Sequence, residues 1–169
     1  MVVQTILNFR KVTRDSHQEV QDILDSAPTY YLKVEGVPKI NGAAIKIFED
    51  LPPNGTLDKK FVYIIEYNHL SIGIAEFNVG YPNDFTAFIG LFLLDEKMQG
   101  KGIGRKSYEA LETLIKKQFC VNVIELAVND TNDIGMKFWT NLGFERNGRS
   151  RENQGLLVTS HVYVLAKNI

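Results

Sequence analysis

One segment limits what this chain can fold into more than any other: Gln99-Gly100-Lys101-Gly102-Ile103-Gly104. It follows a long apolar run, Thr86–Leu94, and precedes a stretch with Leu111, Leu114, Ile115 and Phe119 on one helical face. A second buried strand is expected over residues 121–128. Strand, helix and strand in that order require a crossover, so the two strands should run parallel with a right-handed connection. Alternating glycines in a strand-to-helix turn let consecutive N–H groups curl toward one point without Cβ clashes. The first helical turn adds its own unpaired amides and the positive end of the helix dipole. Together they make a cradle for an anion such as a pyrophosphate, with Arg105 and Lys106 adding positive charge at the rim.

Two nucleotide motifs come close and fail at the same residue. Gly100 and Lys106-Ser107 fit a Walker loop, but Arg105 stands where its second glycine belongs. Gly100 and Gly102 fit the dinucleotide fingerprint, and Arg105 again occupies the third glycine position. A nucleotide triphosphate switch is further disfavoured because no obvious magnesium carboxylate follows a strand.

The rest of the chain supplies a sheet around this unit. A first strand is expected over residues 4–12, then a helix with Val20, Ile23 and Leu24 on one face. Ser16 and Glu19 have the spacing of a capping box at its start, and Ala27-Pro28 closes it. Residues 30–38 read as an irregular aromatic stretch. A short helix begins near Asn41, with Ala44, Ile47, Phe48 and Leu51 inward, and ends at Pro52-Pro53-Asn54-Gly55. Residues 61–67, 72–79 and 86–94 read as strands joined by short turns, which predicts an antiparallel meander. Residues 134–142 form another helix, and strands near 144–149 and 156–166 finish the chain. The predicted class is mixed α/β: one central sheet, mostly antiparallel, with a parallel strand–helix–strand pair and flanking helices. With 169 residues and no linker or repeat, one domain over residues 1–169 is expected.

Totals exclude some partners. A formal net charge of -1 gives no global field to attract nucleic acid or anionic lipid, so neither a nucleic acid nor a membrane is expected as partner. No apolar run approaches membrane-spanning length, and the first ten residues do not read as a signal peptide, so a cytoplasmic location is expected. His17, His69 and His161 have no metal-ligand spacing and Cys120 has no nearby partner, so no metal is expected. Cys120, between Phe119 and Val121, reads as a small buried thiol. Lys59-Lys60 and Lys116-Lys117 read as solvated charges.

The loop resembles the Gln/Arg-x-x-Gly-x-Gly/Ala signature of the GNAT superfamily of N-acetyltransferases, at Gln99, Gly102 and Gly104. The segment Asn132-Asp133-Ile134-Gly135-Met136-Lys137-Phe138-Trp139-Thr140-Asn141-Leu142-Gly143-Phe144 resembles the family's Asn-x-x-Ala-x-x-x-Tyr-x-x-x-Gly-Phe segment. The likeness is sharp over residues 72–144 and rests on element order elsewhere.

The resemblance implies acetyl-CoA as cosubstrate and direct attack by an amine on its thioester. The acceptor would be a primary amine of a small molecule or a protein, and the chain a monomer or homodimer. Phe92, Leu93 and Leu94 would pair their backbone with the pantetheine arm, as an added strand does. Amides of Gln99, Gly100, Lys101, Gly102, Ile103, Gly104 and Arg105 would hold the pyrophosphate, and Asn132 would hydrogen-bond the cofactor chain. Trp139 stands where the family often has the tyrosine that protonates the departing thiolate. An indole N–H donates a hydrogen bond but does not release its proton, so Trp139 would shape the acetyl pocket, donate a hydrogen bond or simply pack as a core aromatic on a short helix. This departure supports an alternative reading, a catalytically weak or inactive acetyl-CoA-binding sensor or interaction module.

Glu76, on the strand before Thr86–Leu94, is the candidate base, facing either a cleft or solvent; Asp84 and Asp95 flank the latter strand, and Asp95 reads as a loop residue. Tyr30 and Tyr31 lie between the first two predicted helices, in the region that in GNAT-like folds overhangs the acceptor site, and either line it or pack.

Overall fold

A computed structural model describes residues 6–169. Seven strands form one sheet: β1 (Leu7–Lys11), β2 (Lys60–Tyr67), β3 (Leu70–Val79), β4 (Thr86–Leu94), β5 (Val123–Asn129), β6 (Glu145–Gln154) and β7 (Thr159–Asn168). Their order across the sheet is β1-β2-β3-β4-β5-β7-β6. Every pairing is antiparallel except β4 with β5, which is parallel. Among the described residues five α-helices cover it: α1 (His17–Asp25), α2 (Pro28–Glu35), α3 (Ala43–Glu49), α4 (Ile103–Gln118) and α5 (Asp133–Thr140). The mixed α/β class, the meander and the parallel pair agree with expectation.

Two apolar layers sandwich the sheet. On one face Tyr108, Leu111 and Ile115 of α4 pack with Trp139 of α5 and Phe77, Ile89 and Leu126 of the strands. On the other, Val20, Ile23 and Leu24 of α1 and Ala44 of α3 pack on Val62, Ile64, Ile74 and Leu93. Val62 through Ile65 are all buried because both faces of β2 are covered, which erases the usual alternation of a one-sided strand.

Several local expectations are corrected. The first strand is shorter, Leu7–Lys11, and Gln4 and Thr5 lie outside the described residues. Ser16 makes no side-chain cap; Glu19 instead accepts from Arg10 and Ser71, so a tertiary contact displaces the capping box. The stretch read as irregular is α2. Pro28 occupies its first turn, where a missing N–H costs nothing, and Gly36 in a left-handed conformation ends it. Pro28 therefore opens a helix rather than closing one. Leu51 is exposed, lying beyond the C-terminus of α3. Cys120 is exposed, because the chain leaves α4 at Phe119 and turns before β5.

Candidate active site

The parallel pair is short. β4 and β5 pair only from Thr86↔Val123 to Ile89↔Leu126. Beyond Ile89, β4 stays on β3 through Leu94, while β5 stays on β7 through Asn129. The two strands therefore part like a V, leaving the β5-facing backbone edge of residues 91–94 free of a neighbouring strand.

Gly90 sits at the apex. The β3–β4 register shifts between Glu76 and Phe77, so that Leu91 faces Glu76 and Ile89 faces Phe77, with Gly90 as the extra residue of a β-bulge. The bulge switches the alternation of β4. Ala87 and Ile89 before it and Leu94 after it belong to the α4 layer, whereas Leu93 belongs to the α1–α3 layer. Gly90 also makes room: a Cβ there would collide with the Glu76 carboxylate, Oε2 in particular.

A cavity of about 420 Å³ fills the V. Its floor and walls include residues 89–94 of β4 and 126–129 of β5. Gln99, Gly100, Gly102, Gly104 and Arg105 line its outer end, and Asn132, Phe138 and Trp139 one side. Gly100 and Gly102 have φ of 71° and 76°, the left-handed region, and a Cβ on either would point into open space. Gly102 is the N-cap of α4 and offers no side chain, so the first amides of this 16-residue helix have no capping partner. The Gln99 side chain donates to the Leu94 carbonyl at 2.9 Å and ties the loop to the end of β4. Gly104 lets α4 approach α5, since a Cβ would lie 3.2 Å from the Phe138 ring.

Of the residues expected at a cofactor site, Phe92, Leu93, Leu94, Gln99, Gly100, Gly102, Gly104, Arg105, Asn132 and Trp139 surround this one cavity. Lys101 is exposed and Ile103 is buried, and neither side chain reaches it. The Asn132 Oδ1 accepts from the Gly135 N–H at 3.0 Å as the N-cap of α5, which leaves its Nδ2 for other partners. Trp139 is 7% exposed and is ringed by aromatic side chains, Phe138 at 4.9 Å, Phe144 at 5.2 Å, Tyr108 at 5.3 Å and Phe92 at 5.6 Å between centroids. Such pairs contribute about 0.5–1.5 kcal/mol each beyond area burial.

A second cavity, about 540 Å³, lies on the α1–α3 side of the sheet. Tyr30, Gly90 and Leu91 line both cavities, so the two meet at the bulge. Glu76 faces this second cavity and not solvent, resolving the alternative left by the sequence. Lys60 is corrected from a solvated charge: its ammonium donates to Glu76 Oε1 at 2.6 Å and to the Asp50 carbonyl at 2.8 Å, with its side chain 4% exposed. Asn78 Nδ2 donates to the same Oε1 at 2.8 Å. Both partners take Oε1, leaving Oε2 toward Gly90. Burial raises the Glu76 carboxyl above the ordinary carboxylate range, and it outweighs the opposing pull of Lys60 and Asn78.

Helix α2 roofs the junction. Thr29 bonds to Glu96 at the end of β4, and Lys33 pairs with Asp133 at the start of α5. Tyr31 lines only the second cavity. The tip of the β6–β7 hairpin docks on the end of α2, where the Leu157 N–H donates to the Glu35 carbonyl at 2.8 Å and the Leu156 N–H to the Glu35 carboxylate at 3.0 Å. Asp95 accepts from the Lys97 N–H and caps a short turn, and Asp84 is exposed.

Sequence reasoning missed Thr29, Lys33, Lys60, Asn78, Gly90 and Leu91. Only Gly90 carried a signal: a lone glycine inside an apolar strand marks a bulge or a close approach. Among the described residues, no group of three or more His, Cys, Asp or Glu is placed to hold a metal, and no helix is long and apolar enough to cross a membrane.

The chain superposes on an acetyltransferase of Thermus thermophilus with 20% identity and a TM-score of 0.70, covering 96% of this chain and 97% of that one. A GNAT family acetyltransferase of Elizabethkingia anophelis, solved with acetyl-CoA bound, matches at 16% identity and TM-score 0.65 over 96% and 98%. The PaiA N-acetyltransferase of Thermoplasma acidophilum, solved in complex with coenzyme A, matches at 15% and 0.66 over 97% and 99%. At these identities the likeness establishes the fold. No curated protein is significantly similar in sequence. The sequence profile of the Acetyltransferase (GNAT) family matches residues 18–144, three quarters of the chain, and the protein belongs to that family.

Proposed function

We propose that this chain is an acetyl-CoA-dependent N-acetyltransferase that moves the acetyl group to a primary amine of a small molecule or a protein by direct attack. One observation carries the reading: the V-shaped cavity between β4 and β5 meets a second cavity at Gly90, and a buried carboxylate with a free oxygen points at the meeting place. Two related folds solved with acetyl-CoA or coenzyme A bound support the choice of cosubstrate.

The residues divide the work as follows. The loop amides from Gln99 to Arg105 hold the pyrophosphate at the positive end of α4. The free edge of Phe92, Leu93 and Leu94 pairs with the pantetheine amides as an added strand would. Asn132 Nδ2 donates to the same arm. The acetyl group would lie where the two cavities meet, at Gly90, whose missing Cβ leaves room for the Glu76 carboxylate. The amine enters through the second cavity. Glu76 takes its proton as nitrogen attacks the thioester carbon, and the raised carboxyl brings this base closer to the pKa of an amine. Lys60 and Asn78 fix the carboxylate through Oε1 and leave Oε2 for that transfer. Trp139 gives the cleft a rigid aromatic wall.

The test is acetyl-CoA turnover against a panel of small amines and peptide N-termini, followed as released thiol. Turnover with any amine supports the reading. Tight acetyl-CoA binding with no transfer to any acceptor favours the sensor alternative that Trp139 motivates.

A further inference from the structure

Trp139 leaves open what meets the negative charge on the departing sulfur. Tyr108, its aromatic neighbour, cannot: it is 0% exposed and donates to Glu112 at 2.8 Å, away from both cavities. Of the seven tyrosines, only Tyr30 lines the cavity between β4 and β5. It also lines the second cavity, and only Gly90 and Leu91 share that double lining, so Tyr30 belongs to the junction of the two. Its hydroxyl takes no hydrogen-bond partner among the described residues, whereas the other side-chain donors of that roof, Thr29 and Lys33, are engaged by Glu96 and Asp133. Tyr30 is itself held in place. It packs edge-on against Tyr31 at 5.2 Å, and α2 is anchored at both ends by those two contacts.

We propose that Tyr30 is a catalytic residue whose hydroxyl donates a hydrogen bond to the thioester sulfur as the carbon–sulfur bond breaks. This rests on the acetyltransferase reading above. The amine nitrogen forms the bond to the acetyl carbon and gives its proton to Glu76. The carbon–sulfur bonding pair stays on sulfur, stabilised by the Tyr30 O–H, and the thiolate takes a proton from water on release, while Glu76 returns its own to water. Burial, with Glu35 adding to it, pushes the Tyr30 phenol up to about 12, so the donor keeps its hydrogen throughout the working range.

The decisive variant is Tyr30→Phe, which removes only the hydroxyl, with Trp139→Phe as control. Two readings are taken. The first is the thiol pKa of bound coenzyme A, titrated through the ultraviolet absorbance of the thiolate. A hydrogen bond to the thiolate lowers that value, so Tyr30→Phe should raise it by about one unit and Trp139→Phe should leave it in place. The charged groups around the junction, Glu35 on α2, Glu76 with Lys60 on the floor and Lys33 with Asp133 at the side, are the same in all three proteins, so the difference isolates the O–H. The second is turnover. Tyr30→Phe should lower kcat by roughly 10²-fold with the dissociation constant of acetyl-CoA unchanged, as when one donor to a developing anion is removed. The loss should shrink with the acetyl ester of an arylthiol, whose better leaving group needs less help. Coenzyme A bound with the same thiol pKa in parent and Tyr30→Phe overturns the Tyr30 assignment alone. Coenzyme A that does not bind the parent overturns the reading beneath it. A shift with Trp139→Phe in place of Tyr30→Phe moves the donor to the indole and overturns the proposal.

Discussion

The two cavities that meet at Gly90 are built from different material. The one between β4 and β5 has a floor and outer end built of backbone, namely strand edges, glycines with no side chain and the uncapped start of α4, with side chains of α2 and α5 closing its sides. The one on the other face is bounded by side chains from α2, α3, β2, β3 and the hairpin tip, which are distant in sequence. A backbone site depends on a few local residues that leave amides free, whatever side chains surround it. A side-chain site depends on what each segment happens to present, and that is where the proposed function puts acceptor choice.

The sharpest way to break this comparison is Glu76→Gln, which alters the side-chain cavity alone. Activity at neutral pH should fall by roughly 10²–10⁴-fold, the usual range for a general base. Acetyl-CoA affinity by calorimetry should not change. In the parent, the acid limb of the pH–rate profile should lie above the ordinary carboxylate range, because burial raises Glu76 and the ionised form is the active one. The stability sign is opposite. A carboxyl raised in the folded state favours folding at low pH, and that contribution is lost as the pH rises through its folded value. Glu76→Gln should remove both dependences.

Trp139 is the next largest effect and tests the aromatic wall of the cavity between β4 and β5. Trp139→Ala should cost about 3–5 kcal/mol of stability by thermal melting, since it empties the centre of an aromatic cluster. Trp139→Phe should retain most activity. A Phe variant as inactive as Ala, with normal acetyl-CoA binding, would show that the N–H itself is needed.

Gly102→Val addresses the loop. A β-branched residue at φ 76° is strained, by about 1–2 kcal/mol, and its side chain would stand where nothing now lies within 4 Å. Acetyl-CoA affinity should fall roughly tenfold, equivalent to about 1.4 kcal/mol. An unchanged dissociation constant in a folded variant would remove the loop from the site.

The smallest effect is expected at the hairpin tip. Leu156 lines the second cavity while 62% exposed, so, if the amine enters there, Leu156→Ser should change its KM a few-fold and leave acetyl-CoA binding alone. An equal effect on both substrates would mean that the two cavities are not separable.

The same contrast explains what could be read before the fold was known. The strand–loop–helix unit and the meander were legible because glycine spacing and apolar periodicity act within a few residues. The residues around the V followed from the family resemblance that the loop and the segment 132–144 carry. The acceptor side was mostly hidden. Glu76 was visible only as a polar residue among apolar ones, and its buried charge is partnered by Lys60, which is 16 positions away in sequence and next to it in space. The capping box at Ser16 failed because Glu19 found Arg10 and Ser71 instead. Helix α2 was missed because Tyr30 and Tyr31 have no helical rhythm of their own; Pro28 and Gly36 frame it and its neighbours hold it.

Backbone hydrogen exchange with and without acetyl-CoA tests the central claim most directly, because it reads the free amides on which the backbone site depends. Acetyl-CoA should slow exchange at residues 99–105 and along the β4 edge at residues 91–94, and leave the β6–β7 hairpin tip unaffected. Protection confined to α2, α3 and the hairpin, with the glycine loop exchanging as before, would contradict it.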